Sequence, residues 1–308
     1  MSRAPEISPR VGILVAIAVA VLMGCSHEPP LKNPEKWTNL IETLTPLHEK
    51  LGQPRPGDWL DSKSEEGQTF AEYRRCAPIR PRGKRDVIYV QPLGPMTENQ
   101  AKIVRQTAEF MRVYFHTKTT LLDSLPLSLV PESARRGSRG FGTQLLTGHV
   151  RMKILRPRLP RDGAAIIGFT ALDLWPGDGW NFVFGEASLR DRVAVWSLAR
   201  NGNPAESQAN YRKCLLRTVK TATHETGHMF SIQHCTAFEC NMCGSMSQQE
   251  SDRHPIALCP HCVAKICWAC EAEPRERYQE LADICKSFGL AQEEKRYRAL
   301  RRALRSAK

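Results

Sequence analysis

A strand, a capped helix, several further strands and a second, long helix follow one another along the chain, and that order predicts an α+β domain. Three observations carry the prediction. Asp86 to Leu93 is a mostly apolar stretch of strand length; Thr97 and Gln100 form a capping-box pair ahead of the helical stripe Val104, Ala108, Met111 and Phe115; and Leu215, Val219, Ala222 and Met229 recur at helical spacing further on. With 308 residues, 41% hydrophobic and 25% charged, the chain is long enough for a sizeable core and excludes a wholly disordered, collagen-like or polytopic membrane protein. The net charge of +12 allows contact with nucleic acid or an anionic membrane but does not choose between them. Eleven cysteines say more, because seven fall between Cys235 and Cys270, the pattern of a local site rather than of a disulfide framework spread along the chain.

At the N-terminus, Arg3 and Arg10 precede a thirteen-residue apolar run, Val11 to Met23, which leads into Gly24 and Cys25. That run has the length of a signal-peptide core and falls short of the roughly 20 residues a membrane span needs. Leu22-Met23-Gly24-Cys25 resembles the bacterial lipobox, in which lipid is attached to the cysteine sulfur and the chain is cut just before it. The expectation is a signal peptide over 1–24, lipidation at Cys25 and a membrane-anchored, extracytoplasmic bacterial lipoprotein. Residues 25–57 read as a Pro-rich tether with one amphipathic stretch at Trp37, Leu40, Ile41 and Leu44. Arg80 to Arg85 is a basic loop without interleaved aromatic residues, which favours a solvated charge run over a nucleic-acid patch.

Further along, Leu127 to Val130 between two prolines reads as a short strand, and the Arg-, Gly- and Ser-rich residues Ser133 to Gly142 as a mobile surface loop. Ala164 to Leu174, Trp180 to Phe184 and Arg192 to Leu198 read as strands. The last stretch, Gln292 to Lys308, has basic residues at helical spacing and reads as an exposed helix.

The chemistry begins at His224-Glu-Thr-Gly-His228. Four residues make about one helical turn, so both imidazoles lie on one face and can each give a nitrogen to one zinc at about 2.0–2.1 Å. Glu225 starts beside the first ligand and can reach a water on the open side of the metal. H-E-x-x-H by itself carries a false-positive risk; His234, six residues beyond His228, lowers it, provided the helix stops and the chain doubles back. Three neutral ligands and an open fourth position describe a catalytic rather than a structural zinc. Cys235, Cys240 and Cys259-Pro-His-Cys262 can close a four-sulfur zinc site, with disulfides as the competing pairing outside the cytoplasm. Cys240-x-x-Cys243 and Cys267-x-x-Cys270 leave room for either.

Together these residues resemble the archaemetzincins, zinc metallopeptidases of the metzincin clan. The family pattern has three histidines, a cysteine directly after the third, C-x-M five residues later and a terminal C-x-x-C; here that is His224, Glu225, His228, His234, Cys235, Cys240, Met242, Cys259 and Cys262. The likeness runs from about Asp58 to Tyr278. It implies a metzincin-like mixed β-sheet with an active-site helix above a small zinc-stabilised C-terminal subdomain, and Met242 as the methionine turn. It also implies two zinc ions, a catalytic one on the histidines and a structural one on Cys235, Cys240, Cys259 and Cys262. Phe182 to Gly185 is then either an upper cleft edge that pairs with an extended peptide or simple core packing. The implied division is a catalytic part over 58–234, a Cys/Zn part over 235–290 and a basic tail over 291–308. Two departures matter: the family has Gly where this chain has Ser231, and a serine in a left-handed turn costs on the order of 1–2 kcal/mol; and a lipobox is not what the resemblance alone implies, which speaks against a cytosolic role.

The implied activity is hydrolysis of peptide bonds in a peptide or protein substrate by a zinc-activated water, with Glu225 as general base and acid, in a monomer with no specific nucleic-acid partner. The alternative is a weakly active or inactive metal-binding surface protein that holds a polyanion or a protein partner. For the N-terminus, expression in a bacterial host is expected to give an acylated, membrane-associated chain that begins at Cys25 and resists salt washing. Cys25→Ala blocks lipidation; wild type and variant that both appear soluble and full-length would rule out the lipobox reading.

Overall fold

The computed structural model describes residues 31–138 and 140–306; the expected signal peptide over 1–24 and the expected lipidation site Cys25 lie outside them. Helix α1 (Pro34–Leu44) opens with proline, tolerated where the first helical N–H has no partner anyway, and buries Trp37, Leu40 and Leu44 at helical spacing. Two short helices follow, α2 (Trp59–Ser62) and α3 (Phe70–Arg75). Strand β1 (Val87–Pro92) leads into α4 (Glu98–Tyr114), which starts with the expected capping box, the Thr97 hydroxyl accepting from the N–H of Gln100 and the Gln100 side chain accepting from the N–H of Thr97. Next come β2 (Lys118–Leu121), β3 (Arg135–Ser138), β4 (Gly142–Leu146) and the single turn α5 (Thr147–His149), which continues as irregular helical turns to Arg158. Strands β5 (Gly163–Thr170), β6 (Asp173–Trp175), β7 (Gly185–Ser188) and β8 (Val193–Ser197) complete the sheets. The rest is helical: α6 (Gln208–Met229), α7 (Gln248–Arg253), α8 (Pro260–Ala269), α9 (Pro274–Ser287) and α10 (Ala291–Ser306).

The main sheet has the order β2-β1-β5-β8-β7, parallel except for β7, which runs antiparallel to β8 at one edge. A second sheet orders β3-β4-β6. All eight residues of β5 and all five of β8 are buried, because both faces of the sheet are covered. Ala165, Ile167, Phe169, Ala194 and Trp196 join the large core that includes α4 and α6, while Ile166, Val193 and Val195 meet Val150, Ile154 and Leu155 on the opposite face. The α+β class and the mixed sheet with an active-site helix are therefore as expected.

Several elements differ from their sequence-based expectation. Leu127–Leu129 is a single 3-10 turn rather than a strand. The flanking prolines lack ladder donors, and the Arg135 guanidinium takes the carbonyls of Leu127 and Val130 at 2.7 and 2.8 Å instead of a neighbouring strand. The expected loop 133–142 contains β3, which pairs with β4, and Arg136 reaches across to the carbonyls of Trp180 and Asn181. Residues 180–184 contribute only a single bridge, Val183 to Leu174, and the edge strand starts at Gly185. The C-terminal helix is not simply exposed: α10 packs on α9 and buries Tyr297 and Leu300. Within the expected tether over 25–57, the described residues from 31 onward include α1, which lies against α8 and α10 and joins the core. An amphipathic helix with a Trp and two Leu on one stripe gains more by burial than by remaining in water.

Leu44, completely buried, tests that docking. Leu44→Ala is expected to lower unfolding stability by about 2–5 kcal/mol, read from the denaturant midpoint; an undocked tether would give a change within about 0.5 kcal/mol.

Candidate active site and metal centres

Helix α6 begins at Ser207, whose hydroxyl accepts from the N–H of Asn210 at 3.1 Å, and it buries Leu215, Val219, Ala222 and Met229. On it, the Nε2 atoms of His224 and His228 lie 3.0 Å apart. Each ring has its other nitrogen engaged: Nδ1 of His224 donates to the Asn241 carbonyl at 2.7 Å and Nδ1 of His228 to the Ile232 carbonyl at 2.6 Å. A carbonyl only accepts, so each Nδ1 carries the proton and each Nε2 presents a lone pair. Two lone pairs facing at 3.0 Å repel unless a cation stands between them. Burial first, and then the nearness of His234, lower the pKa of His224 to about 3, and burial also holds His228 well below the usual histidine range, so both rings are neutral.

The helix ends in a left-handed turn at Ser231, φ 68°. Ser231 N–H donates to the His228 carbonyl at 2.8 Å and Ile232 N–H to that of Gly227 at 3.1 Å, the two bonds of a Schellman cap. The strain expected for a serine is present, and it has a partial offset that spacing did not reveal: Ser231 Oγ accepts from the N–H of Ile79 at 3.1 Å. The chain then doubles back, and the ring of His234 comes to 5.4 Å from that of His224 and 4.8 Å from that of His228, centroid to centroid. One nitrogen from each of the three rings lies within 4.8 Å of the other two, close enough for one metal ion. His234 Nδ1 faces both carboxylate oxygens of Glu65, at 2.9 and 3.0 Å.

Beneath the helix lies Met242. A Cβ added to Gly227 would sit 2.8 Å from the Met242 sulfur, so the glycine is what lets the methionine pass under the histidines. The Met242 carbonyl accepts from the N–H of Cys235 at 2.8 Å, which ties this turn to the residue following His234. Glu225 is buried, and Oε2 has no partner among the described residues; burial raises its carboxyl to about 8.

Cys235, Cys240, Cys259 and Cys262 form a second group, all buried, with their sulfurs within 4.8 Å of one another. The Cys235–Cys259 sulfur separation is 3.6 Å, near the about 3.8 Å that a tetrahedron with 2.3 Å zinc–sulfur bonds requires. The Cys240 sulfur accepts from the N–H groups of Met242 and Cys259 at 3.4 and 3.2 Å, as a thiolate ligand does. None of the ten described cysteines is in a disulfide. Cys243, Cys267 and Cys270 stay outside the group, and burial pushes Cys267 and Cys270 up to about 11 and about 12. His254 is not one of the converging rings, though it lines a small cavity with His224; it is held by Glu239 at 2.6 Å and through its carbonyl by Lys220.

Residue spacing along the chain gives no sign of the segment Asp58–Ile79, which clasps the turn after α6. Gln68 donates to the Ser231 carbonyl and accepts from the N–H of Gln233, and the Tyr73 hydroxyl donates to the Phe230 carbonyl at 2.8 Å. Trp59 packs edge-on against His234, ring centroids 4.9 Å apart, and over Gly244, where a Cβ would strike the indole at 2.5 Å. Glu250, buried, accepts from the N–H groups of Trp59 and Met246 at 2.8 and 2.6 Å. Apart from the Glu250–Met246 bond, these contacts join residues 157 to 191 apart in the chain, and no local pattern announces them.

Residues 160–267 match the model of a family described as Peptidase family M54. The chain is 32% identical over 258 residues to archaemetzincin-2 of Pongo abelii, covering 73% of this chain and 71% of that protein. To archaemetzincin-2 of Rattus norvegicus it is 32% identical over 277 residues, covering 79% and 74%. Among solved structures, it is similar to an archaemetzincin from Methanopyrus kandleri, with 29% identity, TM-score 0.47 and coverage of 62% of this chain and 98% of that one.

Removing the serine from the turn separates strain from contact. Ser231→Gly is expected to keep metal occupancy at the histidines and to change stability by no more than about 1 kcal/mol: relief of the strained φ offsets the lost Ile79 bond and the extra freedom of glycine in the unfolded chain. A sharp fall in bound metal would show that the serine hydroxyl positions His234.

Proposed function

Since this chain belongs to the archaemetzincin family, peptidase family M54, and is a zinc metallopeptidase, we propose that His224, His228 and His234 hold its catalytic zinc and that Glu225 is its general base and acid. The observation that carries this is the convergence of lone-pair nitrogens from three rings whose other nitrogens are bonded to oxygen. Zinc bound there supplies a Lewis acid and an acidified water. Glu225, next to the first ligand on α6, takes the proton of the attacking water and delivers it to the amine nitrogen of the leaving peptide.

The substrate is an extended peptide that adds to the sheet at β7. Ser197 N–H bonds to the Phe184 carbonyl, and in an antiparallel pair that parity turns the N–H and C=O of Gly185 and Ala187 away from β8, toward an incoming strand. This edge begins at Gly185, the last residue of the 182–185 stretch that the sequence suggested, and runs on to Ala187. A second zinc on Cys235, Cys240, Cys259 and Cys262 is structural, with four thiolates and no open position. Met242 is the methionine turn, and the chain divides after His234 into a catalytic part and a Cys/Zn part. The lipid anchor at Cys25 and an extracytoplasmic address rest on residues 1–25 of the sequence; among the described residues no helix is long and apolar enough to cross a membrane.

Metal analysis of the purified protein is expected to give two zinc ions per chain. His228→Ala removes one; Cys259→Ala removes the other and lowers stability, since a structural zinc contributes folding free energy directly. Glu225→Gln keeps both ions and loses turnover of a mixed peptide library. Activity that survives in Glu225→Gln would refute the base assignment, and a Cys259 variant that keeps both ions would refute the four-sulfur site.

A further inference from the structure

The three imidazoles are not held alike. Nδ1 of His224 and of His228 donates to a neutral backbone carbonyl, Asn241 and Ile232 respectively, whereas Nδ1 of His234 donates to a carboxylate, Glu65. We propose that Glu65 is a positioning residue for the catalytic zinc: it sets the tautomer and direction of the His234 ring and makes that ring the most electron-rich of the three ligands. The inference rests on the three-histidine zinc reading above.

The geometry around Glu65 is built for this. His234 is the ligand with least support of its own, because it sits beyond the end of α6 on an irregular return segment, while the other two rings ride on the helix. Glu65 sits in an irregular stretch as well, yet the backbone on both sides of it is pinned. Upstream, the Trp59 N–H is held by Glu250. Downstream, the Glu66 carbonyl accepts from the Thr236 hydroxyl at 3.2 Å, and the Gln68 carbonyl accepts from the buried Lys265 ammonium. Gly67, with φ 77°, turns the chain where any side chain would collide with Thr236. Trp59 covers the His234 ring edge-on. A carboxylate fixed in this way, receiving the proton on the far nitrogen of a ligand, fixes the imidazole's orientation and raises its basicity. It also adds one negative charge beside an otherwise neutral ligand set.

The test is zinc affinity at the histidine site, measured by competition between the protein and a chromophoric chelator with zinc as the only added metal, alongside the thermal midpoint of each metal-depleted variant. Wild type with one zinc resistant to Cys259→Ala and lost in His228→Ala establishes the site itself; a wild type that binds zinc at the cysteines alone overturns the catalytic reading, and Glu65 with it. Given that site, Glu65→Gln keeps the size and an accepting oxygen but removes the charge, and it is expected to weaken zinc binding about 10–100-fold with the midpoint unchanged. On a His234→Ala background the same substitution causes no further loss, because Glu65 acts through that ring. Glu65→Asp, which keeps the charge, retains more affinity than Glu65→Gln. Affinity within about twofold of wild type in Glu65→Gln, or an equal loss on the His234→Ala background, overturns the role of Glu65 alone.

Discussion

The reversal of the chain at Ser231 is the constraint on which the rest of the site depends. A helix can bring two side chains four residues apart to one face, but a third on the same continuous helix would point elsewhere. His234 reaches the other two rings because α6 stops directly after Met229, the cap satisfies two terminal carbonyls, and the next four residues turn back. Such a return segment has few backbone bonds of its own. Its groups are met by distant residues instead: Gln68, Tyr73 and Ile79 take up Phe230, Ser231 and Gln233. The segment Asp58–Ile79 thus belongs to the site as much as α6 does.

The two candidate metal centres share one short piece of chain. Cys235 follows His234 directly, its N–H is held by the Met242 carbonyl, and the Met242 N–H points to the Cys240 sulfur. Met242 in turn lies under Gly227 of the helix that carries His224 and His228. In the proposed reading, the four-sulfur site is what stiffens this otherwise irregular stretch, and the methionine passes that stiffness to the floor of the histidine site. Between 230 and 259 the described backbone has one six-residue helix and is otherwise irregular, so side-chain contacts and the four-sulfur site share the work of fixing it.

Serine at position 231 shows how a locally unfavourable residue persists. Its left-handed φ is costly for a residue with a Cβ, but the hydroxyl bonds Ile79 and the carbonyl bonds Gln68, both from the clasp. Glycine at 67, 227 and 244 answers the opposite need. There the missing Cβ makes room for Thr236, Met242 and Trp59, and the three contacts bring clasp, helix and methionine turn together.

What was legible in the sequence is what short-range physics determines. Helical period places His224 and His228 on one face, a capping box marks the start of α4, apolar runs of strand length mark β1, β5 and β8, and cysteine spacing offers Cys235 with Cys240 and Cys259 with Cys262 as two pairs among others. Each depends on residues within about two turns or one strand of one another. Where a local pattern was short and two-sided, it misled: Leu127 to Val130 between prolines became a turn, and Trp180 to Phe184 gave way to an edge strand that starts at Gly185. Only the tertiary structure decided that α1 docks instead of serving as a tether, that Glu65 faces His234, and that the Asn241 carbonyl accepts from Nδ1 of His224. Those partners meet across 17 to at least 247 residues of chain, and their geometry exists only once the sheet and helices have packed; spacing along the chain carries no signal for a contact whose cause is the packing itself.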